Sequence, residues 1–164
     1  MLGKKVEDAL NAQMNREFYS SYLYLSMSTH FESNSLKGFA HWLRIQAKEE
    51  LDHAMKFYDY MAQRGARPAL SQIDAPNSKW ETHTAVFEDA YKHEQKVTKY
   101  ISELADLARA EVDHATEVFL QWFVNEQVEE EMNASDIVNK MKLAGDSSSA
   151  MFVIDSDLHK RPSK

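Results

Sequence analysis

The sequence predicts an all-α chain: a four-helix bundle with a long crossover between its second and third helices. Three observations predict it. Glycine and proline are scarce, four and three in 164 residues, so long unbroken helices are permitted. Inward positions recur in alternating steps of three and four along four segments, the period of a helical seam. The second and third segments are separated by a polar, proline-containing stretch, whereas the first two and the last two are joined by short turns.

The first segment runs from about Lys4 to Glu32 without Gly or Pro and stops at Ser33-Asn34-Ser35. Ser35 reads as the N-cap of the second segment, about Leu36 to Arg64, which Gly65 closes. Gly38 lowers helix propensity near that start. A linker of roughly 15 residues with Pro68 and Pro76 follows; extended at ~3.3 Å per residue it matches the ~42 Å length of a 28-residue helix. It therefore crosses the bundle from end to end. The third segment spans about Glu81 to Ala108. The fourth starts near Glu111 or Val112 and ends at Ala144, before Gly145. The tail carries an apolar piece, Ala150 to Ile154, in a segment apolar enough to pack but too short to stand alone. One domain is expected over 1–164, with the bundle at about 4–144.

Composition narrows the chemistry. There is no cysteine, which removes disulfides, zinc–thiolate sites, iron–sulfur clusters and thiol catalysis. The formal charge is -7, from 26 acids and 19 bases, which disfavours a nucleic-acid partner. No run approaches the ~20 apolar residues of a membrane helix. Met1-Leu2-Gly3-Lys4-Lys5 leads directly into an amphipathic pattern instead of an apolar signal core, so a cytoplasmic location is expected.

The seams contain the unusual residues. The first reads Leu10, Met14, Glu17, Ser21, Tyr24, Ser28, Phe31. The others place Glu50, Glu94 and Glu130 at corresponding mid-helix positions, and His53 follows Glu50 by three residues, on the same face. Four buried carboxylates in one layer repel each other, and no Lys or Arg lies on the central seam to neutralise them. Two divalent cations would balance four carboxylates. Oxygen-rich ligation with a single imidazole suits iron or manganese. Any one of these glutamates, taken alone, would read as an ordinary surface residue. The pattern of four, with a Glu-x-x-His pair, is what points to metal.

Asn15-Arg16-Glu17, Ser20-Ser21-Tyr22-Leu23-Tyr24-Leu25, Glu49-Glu50-Leu51-Asp52-His53-Ala54, His93-Glu94, Phe119-Leu120-Gln121-Trp122-Phe123 and Glu126-Gln127-Val128-Glu129-Glu130-Glu131 together resemble the non-haem ferritins of bacteria and archaea. The resemblance covers nearly the whole chain and is weakest over the last ~20 residues; inward carboxylates from all four helices are a known layout of such bundles. It implies a ferritin-like fold with a short fifth C-terminal helix at about 148–158, and a two-iron ferroxidase centre in each subunit. Glu17, Glu50 and His53 would hold one iron. Glu50, Glu94 and Glu130 would hold the other, with Glu50 bridging. Gln127 would stand where symmetric di-iron sites carry a histidine, and Tyr24 would lie beside the pair as hydrogen-bond or electron donor. Glu49, Glu126 and Glu129 would form a third, weaker iron site. Packing alone is the competing account of Tyr24, and a solvated acidic face that of Glu126 and Glu129.

By the same resemblance, Fe(II) and dioxygen are the substrates, no haem is bound, and 24 subunits form a hollow shell that stores ferric oxyhydroxide. The alternative is a bacterioferritin-like protein or another di-iron oxidase without bulk storage. Asp52 stands where a bacterioferritin would carry its haem-ligating methionine.

Overall fold

The structure, a computed structural model, describes residues 2–162. Met1, Ser163 and Lys164, included in the expected domain range, lie outside the described residues. The helices are α1 Lys4–Ser33, α2 Lys37–Gln63, α3 His83–Ala110, α4 His114–Ala144 and α5 Ser148–Leu158. α1 lies along α2, α3 along α4, α1 also meets α3, and α5 packs on α2 and α4. This is the expected architecture: two hairpins side by side, connected by residues 64–82 without helix or strand.

Three helices end by the same device. Ser35, Gly65 and Val112 adopt left-handed backbone, with φ of 61°, 75° and 57°. The following N–H then reaches back: Leu36 N to Phe31 O at 3.0 Å, Ala66 N to Met61 O at 3.0 Å, and Asp113 N to Ala108 O at 2.9 Å. These bonds satisfy carbonyls that a helix end leaves open. Ser35 therefore terminates α1 and does not cap α2, contrary to the sequence expectation. The third and fourth helices also begin two or so residues later than expected. Thr82 and Asp113 are the actual caps, accepting from Ala85 N and Thr116 N, each at 3.1 Å.

No side chain from its own flank caps α2. Asp155 of α5 supplies the acceptor: its Oδ1 takes hydrogen bonds from Gly38 N at 2.8 Å and Phe39 N at 3.0 Å. A Cβ on Gly38 would fall 1.7 Å from the Asp155 carbonyl oxygen. The glycine that weakens the start of α2 is thus the condition for α5 to dock there. Leu158, at the end of α5, is buried in the adjacent core.

That core is not continuous. One apolar cluster fills the end near Phe31, Phe39, Phe87 and Met141. Another fills the opposite end near Leu10, Phe57, Ile101 and Phe123. Between them runs a buried polar layer that includes Glu17, Gln46, Glu50, His53, Glu94, Gln127 and Glu130. Across this layer the α2 and α4 backbones keep more than 8 Å between Cα atoms, and side chains fill the gap.

Two outcomes test these contacts. Val112 is β-branched, left-handed and 68% exposed, so it carries backbone strain with little packing in return. Val112→Gly is expected to raise the unfolding free energy by about 1 kcal/mol in chemical denaturation; a decrease would show that the turn is not strained. Asp155→Ala is expected to weaken α5 docking by about 1–2 kcal/mol, read as faster amide exchange over 148–158 and in the first turn of α2, with α1, α3 and α4 unaffected. Unchanged exchange would remove Asp155 from the account of docking.

Candidate metal centre

Each helix of the bundle delivers one carboxylate to the layer because the seam period returns an inward position at mid-helix. Glu17 comes from α1, Glu50 from α2, Glu94 from α3 and Glu130 from α4, and all four are buried. They do not lie on a single ring. Ligand atoms of Glu17, Glu50 and His53 come within 4.8 Å of one another, and so do those of Glu50, Glu94 and Glu130. Glu50 belongs to both triads. His53 Nδ1 lies 3.4 Å from Glu50 Oε2, as the i,i+3 spacing requires.

Neutral amides and hydroxyls bind the carboxylates from the sides. Gln13 Nε2 donates to Glu17 Oε1 at 2.7 Å. Gln46 Nε2 donates to both Glu50 Oε1 at 3.0 Å and Glu130 Oε2 at 2.7 Å. Gln127 Nε2 donates to Glu94 Oε2 at 3.1 Å, and the Tyr24 hydroxyl donates to Glu94 Oε1. Among the described residues, buried Glu17 Oε2 has no hydrogen-bond partner. A buried carboxylate oxygen left open among other carboxylates is the donor arrangement a cation fits.

Their titration shows the strain. Burial, then the charge of Glu50, raises Glu17 to about 8. Burial, then Glu94 and Glu130, pushes Glu50 well above the ordinary carboxylate range. Burial raises Glu130 to about 8 with help from Glu94. Glu94 reaches only about 7, because burial is opposed by the hydrogen bonds from Tyr24 and Gln127. Tyr24 is in turn held protonated by burial and by the charge of Glu94. The layer is therefore a set of acids that holds protons until something positive replaces them.

The outer residues are more dispersed. Glu126 is partly buried, its Oε1 4.0 Å from His53 Nε2, and it groups with His53 and Glu130 within the same 4.8 Å limit. Glu49 is buried and ion-paired with Arg161 at 2.6 Å. Glu129 is exposed and joins none of these groups. Seam reading also placed Ser21 inward; Ser20 is the buried one, whereas Ser21 is half-buried and donates to Ala47 O at 2.6 Å. A step of three from Glu17 replaces the assumed step of four.

Two neighbours were missed from sequence. His93, next to Glu94, shares a 2.8 Å hydrogen bond with Ser20 Oγ and lies edge-on to Tyr24; burial, then Lys96, lowers it to about 4, so it is neutral near pH 7. Its adjacency to Glu94 was the available signal, since residues flanking a seam position face the neighbouring helix. Arg161 gave no signal, because it lies beyond the last periodic segment.

Surface cavities of about 430 and 420 Å³ lie at the α4–α5 turn and beneath the crossover, and none of the four glutamates lines either. Among the described residues no helix is long and apolar enough to cross a membrane.

Comparison with known proteins agrees in family. Residues 7–144 match the ferritin-like domain model. The chain is 45% identical over 161 residues to a bacterial non-heme ferritin of Bacteroides fragilis, covering 98% of this chain and 100% of the relative. It is 40% identical to that of Staphylococcus saprophyticus, covering 98% and 96%. A closed form of the Archaeoglobus fulgidus ferritin, engineered by site-directed mutagenesis, superposes with a TM-score of 0.99 at 48% identity over 100% of both chains. An open pore ferritin from the same archaeon gives 0.97 at 48% identity over 99% of each.

The raised carboxyls set the pH dependence of the metal-free protein. A folded pKa near 8 against an ordinary 4.5 means the stability Glu17 contributes is complete below about pH 4.5 and is lost as pH rises towards 8. Glu17→Gln, neutral and of the same shape, is expected to be more stable than the parent by over ~1 kcal/mol at pH 8 without metal, and no more stable at pH 4. Denaturation curves in chelator at both pH values check this; equal curves at pH 8 would mean Glu17 ionises freely in the fold.

Proposed function

The chain belongs to the non-heme ferritins of the ferritin-like family, and on that premise we propose that it is a ferroxidase and iron-storage subunit. The supporting observation is the pair of triads, one with two carboxylates and His53 and one with three carboxylates, that share Glu50 inside the bundle. Glu17, Glu50 and His53 would receive one ferrous ion, and Glu50, Glu94 and Glu130 the other. Two ions held side by side give up one electron each, and dioxygen accepts both with two protons, leaving two ferric ions and hydrogen peroxide. Carboxylates favour the more highly charged product ion, which drives the oxidation.

Protons move as well. Acids held protonated by burial release their protons when ferrous ions enter, so uptake is coupled to pH. Gln127 is neutral and donates to Glu94. It offers no extra negative charge to hold Fe³⁺, which favours onward movement of product. Tyr24, which donates to Glu94, would steady that carboxylate. Glu126, partly buried beside His53, would lie on the outward route, with Glu49 and Glu129 as further oxygen donors. From there ferric iron would hydrolyse and accumulate as oxyhydroxide inside a shell of 24 copies.

The exposed apolar residues Phe152 and Val153 of α5, 68% and 66% accessible in the single chain, suit burial between subunits. A bacterioferritin-like reading draws no support from Asp52, an exposed carboxylate at the place of the haem-ligating methionine.

Aerobic addition of Fe²⁺ with sizing of the product separates the possibilities. Storage predicts a large particle that retains far more iron than two ions per subunit. An oxidase without storage predicts oxidation followed by loss of iron to solution. Glu50→Ala with His53→Ala is expected to slow the rapid oxidation phase by more than about 100-fold while assembly persists. An unchanged rate would place the chemistry elsewhere.

A further inference from the structure

The central seam contains no Lys or Arg, yet a guanidinium reaches the edge of the carboxylate layer. Arg161 lies three residues beyond the buried Leu158, just past α5, and is brought back onto α2. Its Nη2 donates to Glu49 Oε2 at 2.6 Å and to Gln46 Oε1 at 2.9 Å. Its Nη1 donates to the Trp42 carbonyl at 3.3 Å, and the guanidinium carbon lies 4.2 Å from the centre of the Trp42 indole. The Arg161 carbonyl oxygen is 2.9 Å from His41 Nε2. The side chain is only 16% exposed. This is a built contact, with planar fork, aromatic face and backbone each satisfied.

Gln46 transmits it. Arginine can only donate, so Gln46 must turn Oε1 towards it and Nε2 towards Glu50 and Glu130. In the metal-free layer the carboxylates favour the same orientation. Once cations neutralise them, that preference weakens, and an amide oxygen gains by turning inward to a metal ion. Only Arg161 then holds the amide as a donor. At Glu49 the same guanidinium is a resident cation, which an incoming metal ion must displace.

We propose that Arg161 is a positioning residue of the metal centre: it occupies Glu49 and, through the amide of Gln46, keeps Glu50 and Glu130 oriented while excluding Gln46 from the ligand set. The inference rests on reading the central carboxylates as a metal-binding layer. It gives the segment after α5 a direct connection to that layer.

Anaerobic Co²⁺ titration of the assembled protein, followed by calorimetry and visible absorption, tests it without turnover. Arg161→Gln is expected to bind Co²⁺ at the outer position about tenfold more tightly, because a competing positive charge is gone. It is also expected to shift the absorption of the inner ions as Gln46 turns. Arg161→Lys keeps the charge but not the fork, so it should shift the absorption while leaving outer affinity near the parent value. With Gln46→Leu already present, Arg161→Gln should no longer shift the spectrum. Parent-like affinity and spectrum in both Arg161 variants would overturn the proposal, as would a shift that persists without Gln46. A parent protein that takes up no Co²⁺ in the layer would instead overturn the underlying metal-site reading. Should Arg161→Gln fail to assemble, Arg161→Lys decides alone: its absorption should shift with Gln46 present and not shift with Gln46→Leu.

Discussion

Everything in this bundle is arranged around the difficulty of burying four carboxylates together. Each would ionise freely in water, and each is held partly or largely protonated here by burial and by its neighbours. Burial is the largest cause at each of the four, and at Glu94 the hydrogen bonds from Tyr24 and Gln127 oppose it. The helices therefore contribute donors and not counter-ions at the middle of the layer: Gln13, Gln46, Gln127 and Tyr24. Donors moderate the charge without cancelling it. That leaves the layer receptive to cations, whereas a lysine at the same place would close it.

The fold supplies rigidity at both ends of that receptive middle. Stacked aromatic pairs, Phe31 with Phe39 and Phe57 with Phe123, flank the layer on either side. Turns with left-handed termini fix where α1, α2 and α3 stop. The long crossover allows α1 to lie against α3, which brings Tyr24 to Glu94 across the hairpins. The Glu50–Glu94–Glu130 triad is likewise drawn from both hairpins.

Much of this was legible in the residues alone. The alternation of three and four placed Glu17, Glu50, Glu94 and Glu130 at one depth, and i,i+3 spacing put His53 beside Glu50. The period was less decisive where two adjacent serines compete, and Ser20 rather than Ser21 turned inward. Contacts set by tertiary approach left no trace in the pattern. Gly38 read as a weak spot in α2, because nothing local reveals that Asp155, on a helix more than a hundred residues away in sequence, requires its missing side chain. Ser35 read as a cap by residue type, although its left-handed backbone assigns it to the preceding helix. Arg161 was invisible for a related reason: it lies on no repeating face, and its importance comes from where α5 sets it down.

The division of the core into two apolar ends has a consequence for the history and engineering of such chains. Leucines in place of the polar layer would join the two clusters into one continuous interior, and buried ionic groups replaced by well-packed apolar ones commonly yield sturdier proteins. Random drift towards thermal robustness thus runs against function at this depth. A variant library selected only for heat resistance would be drawn towards erasing the layer, and its survivors would be well-folded bundles without the candidate metal centre.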